Sequence, residues 1–172
     1  MASRSLSPIL WLLLTASAPQ AGAQTLAMKA AAATDYIISH SDREDMVRVP
    51  MRDGVRLSAT ILFPKGKPRQ NLPTVLFFIP YLIEAQIRQP MFSGFIRSFI
   101  ENGYAVIIEN VRGRYFSEGT FTYLIGSEKD GYDTIDWISK QPWSNGKVGT
   151  LGCSSSAEEQ RRAAPSRTST AT

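Results

Sequence analysis

The stretch that most constrains this chain is Thr74 to Ile79, a continuous apolar run (Thr-Val-Leu-Phe-Phe-Ile) halted by Pro80. A run this short with no polar alternation suits a strand buried on both faces, as in a parallel sheet covered by helices. The flanking sequence agrees. Met91, Phe92, Phe95, Ile96, Phe99 and Ile100 recur at helical spacing over 90–102, and Gly103 stands where a C-terminal cap belongs. The aromatic stripe Phe92, Phe95 and Phe99 is read as core. Tyr104 to Glu109 is a second short apolar strand. Residues 127–140 predict a helix capped by Ser127, with Tyr132, Ile135, Trp137 and Ile138 as its apolar stripe. Pro142 and Asn145-Gly146 mark a turn, and Lys147 to Cys153 a last strand.

Upstream, Met46 to Pro50 and Val55 to Phe63 alternate around Asp53-Gly54, which predicts a β-hairpin with a type I′-like turn. Val55, Leu57, Ala59 and Ile61 share one face, and 64–73 is a loop. Hairpin, strand, helix, strand, helix, strand is the order of an α/β fold with a mainly parallel sheet and flanking helices.

The ends of the chain differ from this body. Arg4, the apolar Ile9 to Leu14 and the small-residue site Ala21-Gly22-Ala23 predict a secretory signal peptide over 1–23, the competing reading being a buried N-terminal helix. Residues 24–45 read as an arm leading into the fold. Residues 161–172 hold no large apolar side chain, and Pro165 would break a helix there, so a disordered tail is expected. The formal charge of +4 comes from these ends: Arg4 goes with the leader, and Arg161, Arg162 and Arg167 sit in the tail. The body 24–160 is neutral, which argues against a nucleic-acid surface. With one cysteine and one histidine, an intrachain disulfide and a Cys/His metal cluster are both excluded. A secreted chain without disulfides fits a bacterial periplasm or medium. Once the leader is cut, no membrane partner is expected.

The last strand runs into Gly152-Cys153-Ser154-Ser155-Ser156-Ala157. A serine at the tip of a sharp strand-to-helix turn needs small neighbours, and the turn exposes its oxygen beside backbone N–H groups at a helix start. The plain alternative is a Ser-rich turn after a core strand. Cys153 competes as a nucleophile in principle, but its place in the strand predicts an inward, inert thiol.

Several blocks around this turn resemble, in order, the X-Pro dipeptidyl-peptidase and cocaine-esterase (CocE/NonD) family of serine hydrolases, which includes α-amino-acid ester hydrolases and glutaryl-7-aminocephalosporanic-acid acylases. They are Val49 to Leu57, Pro80-Tyr81, Asn110 to Arg114 with Ser117-Glu118-Gly119, Asp130 to Ile138, and Gln141 to Gly149. The resemblance covers about residues 46–160 and implies an α/β-hydrolase fold. It makes Ser154 the nucleophile, with the Tyr81 hydroxyl and the Ser155 backbone N–H as the oxyanion hole. The chain departs from the family pattern at three positions: Ser155 replaces the elbow Tyr, Ala157 the elbow Gly, and Asn110 an Asp.

Beside these candidates stand plainer readings. Tyr81 could simply cap the core next to Pro80. Arg112 is expected to pair with a carboxylate, and Glu118 and Asp133 are expected to act as partners or caps. Such hydrolases order their triad Ser, acid, His along the chain, yet the twelve residues after Gln160 contain neither Asp nor His, and His40 lies upstream in the arm. The expectation is therefore an N-terminal part of the fold, truncated after the elbow, with little turnover. The reaction class is hydrolysis of an ester or amide in a small molecule or peptide, without cofactor or metal. The alternative is a non-catalytic secreted fragment or binding module.

Overall fold

The computed structural model describes residues 18–123 and 125–163. In chain order its elements are α1 (Ala18–His40), β1 (Ser41–Pro50), β2 (Arg56–Pro64), β3 (Leu72–Ile79), α2 (Ile83–Arg88), α3 (Pro90–Glu101), β4 (Ala105–Asn110), α4 (Ser127–Ser139), β5 (Ser144–Thr150) and α5 (Ser155–Ala163). The strands form one sheet in the order β1-β2-β4-β3-β5. β1 pairs with β2, and β2 with β4, antiparallel; β3 lies parallel to both β4 and β5. The C-terminal ends of β3, β4 and β5 therefore share one edge, where open α/β sheets place their ligands.

The apolar run of β3 is central because both its faces are covered. On one side Leu76 and Phe78 join Leu57, Ala59, Ile61, Ile107 and Ile138, with α4 as the cover. On the other Val75, Phe77 and Ile79 join Val106, Ile108, Phe92, Ile96 and Ile100 beneath α3, with Ile37 of α1 and Ile87 of α2. Ile107 is fully buried on the middle strand. Ile107→Ala is expected to cost about 2–5 kcal/mol, read as a lower urea midpoint at unchanged m.

Helix ends follow local chemistry. The Gln89 side chain accepts from the Met91 and Phe92 amides, and Pro90 opens α3. At the other end Gly103, at φ +80°, donates to Ile100 O while Tyr104 N donates to Phe99 O; the rings of Phe99 and Tyr104 meet edge to face. This is a Schellman closure with its apolar contact.

The structure departs from the expectations at several points. The hairpin turn is not type I′, because only Gly54 of the pair Asp53-Gly54 has positive φ; Gly54 N bonds Met51 O and Met51 N bonds Val55 O, a type I turn closed by a glycine bulge. Residues 24–40 of the expected arm are helical, and α1 packs on α3, with Arg97 over the Tyr36 ring. Its Ala-rich sequence has strong helix propensity but little hydrophobic contrast, so its periodicity is faint. The short α2 carried no sequence signal.

Ser127 does not cap α4; Gly126, at φ +86°, occupies that place. Phe95 and Tyr132 are exposed rather than core. β5 starts before Asn145-Gly146, which forms an irregularity within it, and ends at Thr150. Arg161–Ala163 continue α5, so the expected tail is helical over those residues. Residues 1–17 of the expected leader and 164–172 of the tail lie outside the described residues.

Candidate active site

Beyond β5 the chain leaves the sheet through Leu151, whose N–H still reaches Leu76 O, and turns at Ser154 into α5. Ser154 has φ +54°, a left-handed conformation that costs a non-glycine residue on the order of 1–3 kcal/mol. The Ser154 carbonyl accepts the Ala157 and Glu158 amides, so the residue is also the N-terminal anchor of α5. Its side chain is exposed. The turn is sharp enough that a Cβ on Gly152 would lie 2.6 Å from Ser156 O and 3.0 Å from Ala157 N, both backbone. Ser156 is fully buried beneath it. The Ser155 amide lies in the first turn of α5, where N–H groups have no intrahelical acceptor and the helix dipole favours negative charge.

Cys153 is exposed, contrary to the inward thiol expected. The expectation carried strand alternation past Thr150, but Cys153 belongs to the turn and not to the sheet.

Tyr81 stands just past β3 in the same region. Its phenol oxygen is 2.5 Å from Ser155 Oγ. The loop carrying it is tied down from below: Asn110, at the end of β4, donates to Tyr81 O at 2.6 Å, Arg114 Nε donates to Pro80 O, and Val111 N to Ile79 O. Also beside the elbow, Tyr123 donates its hydroxyl to Glu158 at 2.7 Å, and this carboxylate acceptor holds the phenol pKa above its usual value.

The charged candidates are paired. Arg112 bonds Asp130 at 2.6 and 2.9 Å and reaches Asp53, whose carboxyl is held below its usual range by that guanidinium. Gly113 and Gly119 make room around it: a Cβ on Gly119 would meet the Arg112 side chain, and one on Gly113 the backbone of Phe121. Glu118 accepts from the Arg56 amide and guanidinium, Asp133 from those of Arg52, and both carboxyls are lowered by these bonds. All three side chains thus take the pairing roles that the sequence suggested.

His40 ends α1, stacked on Tyr36, with Nδ1 at hydrogen-bond distance from Ser39 Oγ and Tyr36 O. Its carbonyl accepts Lys65 N, beyond the end of β2 that lies level with the start of β4. This is the edge of the sheet opposite Ser154.

Two features escaped the sequence. One is the tie from Asn110 to Tyr81, whose only trace was the polar residue closing an apolar strand. The other is Glu109, fully buried on β4. Its Oε1 accepts from Thr134 Oγ1 at 2.7 Å, Oε2 has no hydrogen-bond partner among the described residues, and burial pushes its pKa up to about 8.

A mixed sheet covered by helices, with a serine at a strained strand-to-helix turn on its C-terminal edge, is the architecture of α/β-hydrolases. Residues 53–171 match the family model of X-Pro dipeptidyl-peptidase (S15 family), and the chain belongs to that family. It is 38% identical to cocaine esterase of Rhodococcus sp. (strain MB1 Bresler) over 120 residues, 70% of this chain and 21% of that protein. It is 35% identical over 121 residues to a putative serine esterase of Mycobacterium bovis, covering 60% of this chain and 19% of the relative.

Among solved structures, an aminopeptidase from a marine sediment Thaumarchaeota archaeon superposes with a TM-score of 0.62 at 32% identity, covering 75% of this chain and 23% of that one. An α-amino acid ester hydrolase gives 0.57 at 32% identity, covering 66% and 21%. The chain thus spans about a fifth of the length of the curated relatives it matches. The relatives it matches are named as esterases, an aminopeptidase and an ester hydrolase.

Proposed function

We propose that this chain carries the nucleophile and oxyanion donors of a secreted serine hydrolase acting on ester or amide bonds. Ser154 attacks the acyl carbonyl; the Tyr81 hydroxyl and the Ser155 N–H receive the charge that develops on its oxygen. The observation that carries this reading is the Tyr81 phenol lying against the residue that follows a serine held at φ +54°. The cocaine esterase, aminopeptidase and ester hydrolase among its relatives span both esters and peptides, so the substrate class is kept at acyl transfer to water.

A serine needs a base, and the one histidine of these 172 residues stands at the far edge of the sheet. Loss of the base from a triad costs several orders of magnitude in turnover. For a polypeptide of these 172 residues alone, slow acylation of Ser154 without steady turnover is therefore expected.

Secretion is proposed on the leader pattern of Arg4, Ile9 to Leu14 and Ala21-Gly22-Ala23, with which the burial along α1 is compatible. Ala30, Ala33, Thr34 and Ile37 all follow Ala23, while Gly22 and Ala23 are exposed, so a cut after Ala23 removes none of these contacts.

Incubation with a fluorophosphonate probe is expected to add one label at Ser154, by intact mass and peptide mapping, and Ser154→Ala to reduce it to background. A p-nitrophenyl acetate trace should show at most a stoichiometric burst. Labelling elsewhere, or none on a cooperatively folded chain, would favour a non-catalytic fragment.

A further inference from the structure

We propose that Asn110 and Ser155 are positioning residues that together clamp Tyr81, one by its backbone and the other by its phenol, and so aim its hydroxyl at the elbow. This rests on the reading of Tyr81 as an oxyanion donor.

Tyr81 needs such a clamp. Its side chain is 39% exposed on a loop, so core packing does not fix the ring. Asn110 is 1% exposed, and its amide nitrogen donates to Tyr81 O at 2.6 Å and faces Ile79 O at 3.4 Å. Only a group with two N–H donors can serve both carbonyls; a carboxylate there would be an acceptor facing acceptors. Asn110 is itself anchored, since its carbonyl accepts from the buried Ser117 hydroxyl at 2.7 Å and that hydroxyl accepts from Ser58 N at 2.9 Å.

The other end of Tyr81 is held by the Ser155 hydroxyl. With Ser155 as the donor, the phenol oxygen accepts and keeps its own proton for the substrate oxygen, and hydrogen bonds in series strengthen one another. The structure brings Asn110 and Ser155 together at opposite ends of one side chain.

A double-mutant cycle on the full chain tests this, read as the rate of fluorophosphonate labelling by intact mass. Asn110→Asp and Ser155→Ala are each expected to slow labelling about 10-fold, and Ser155→Thr, which keeps the hydroxyl, to restore it. In a Tyr81→Phe background both effects should vanish. Equal slowing in the two backgrounds would overturn the clamp, because the residues would then act through the fold or another group.

A second readout does not depend on chemistry at Ser154. In the chain labelled with 3-fluorotyrosine, the Tyr81 fluorine resonance (identified by its loss in Tyr81→Phe) should move in Ser155→Ala and in Asn110→Asp, while the other tyrosine resonances hold. An unmoved Tyr81 resonance in Ser155→Ala overturns the proposal, even if Asn110→Asp fails to fold. Movement of the resonance in these variants, together with a wild-type chain that takes no label, would support the clamp and refute the oxyanion reading beneath it.

Discussion

Gly152→Ala is expected to abolish fluorophosphonate labelling of Ser154 and to lower stability by about 1–3 kcal/mol. The added Cβ would lie 2.6 Å from Ser156 O, 2.7 Å from its carbonyl carbon and 3.0 Å from Ala157 N. These are backbone atoms of the first turn of α5, so no side-chain rotation relieves the clash. The helix start must shift instead. Ser154 and the Ser155 amide move with it, because the Ser154 carbonyl anchors that turn. A displacement near 1 Å at reacting atoms is worth about 10²-fold in rate. Labelling at the wild-type rate in a folded Gly152→Ala chain would show that the turn does not constrain the serine. Gly149 is a useful control: a Cβ there meets only Thr74 O, at an ordinary 4.0 Å.

The second large effect is a pH dependence of stability set by Glu109. Strand register places Ala59 of β2 and Phe78 of β3 level with it, while α4 presents Thr134 and, nearby, Asp130. Among the described residues no cation is bonded to it, so burial dominates and holds the proton up to about pH 8, against an ordinary value of 4.5. The unfolded chain releases that proton near 4.5. Between these values the native state binds a proton that the unfolded state has lost, so stability falls as pH rises through the window, by up to about 1.4 kcal/mol per pH unit.

The depressed carboxyls of Asp53, Glu84, Glu118 and Asp133 act with opposite sign and at lower pH, losing stability as pH falls below their unfolded values. Urea denaturation from pH 5 to 8 should therefore show wild-type stability falling by on the order of 3 kcal/mol, and Glu109→Gln nearly flat. Parallel pH profiles for the two chains would mean that Glu109 is ionised in the native state.

Much of the fold was legible because its signals are local. The run Thr74 to Ile79 specified a doubly covered strand, and the spacing of Phe92, Ile96 and Ile100 with Gly103 specified α3 and its closure. The elbow was legible through Gly152, since glycine meets an extreme steric demand and leaves a mark in sequence. Errors came where a local signal was carried too far or was absent. Strand alternation continued past Thr150 turned Cys153 inward, and the Ala-rich α1 had no contrast between its faces.

The sequence by itself determined the alternation of strands and helices, the serine at a small-residue turn, and the membership of the chain in its family. Each is written in neighbouring residues, through periodicity, turn chemistry or motif. Only the tertiary structure decided the strand order β1-β2-β4-β3-β5, which sets Pro80-Tyr81, Asn110 and Ser154 on one edge and His40 on the other. It also decided that Asn110 and Ser155 hold the two ends of Tyr81, and that Glu109 is buried. These are contacts between residues from 25 to 74 positions apart in the chain. Hydrogen bonding and desolvation act on distance in space, and no local pattern encodes which distant strand ends will meet.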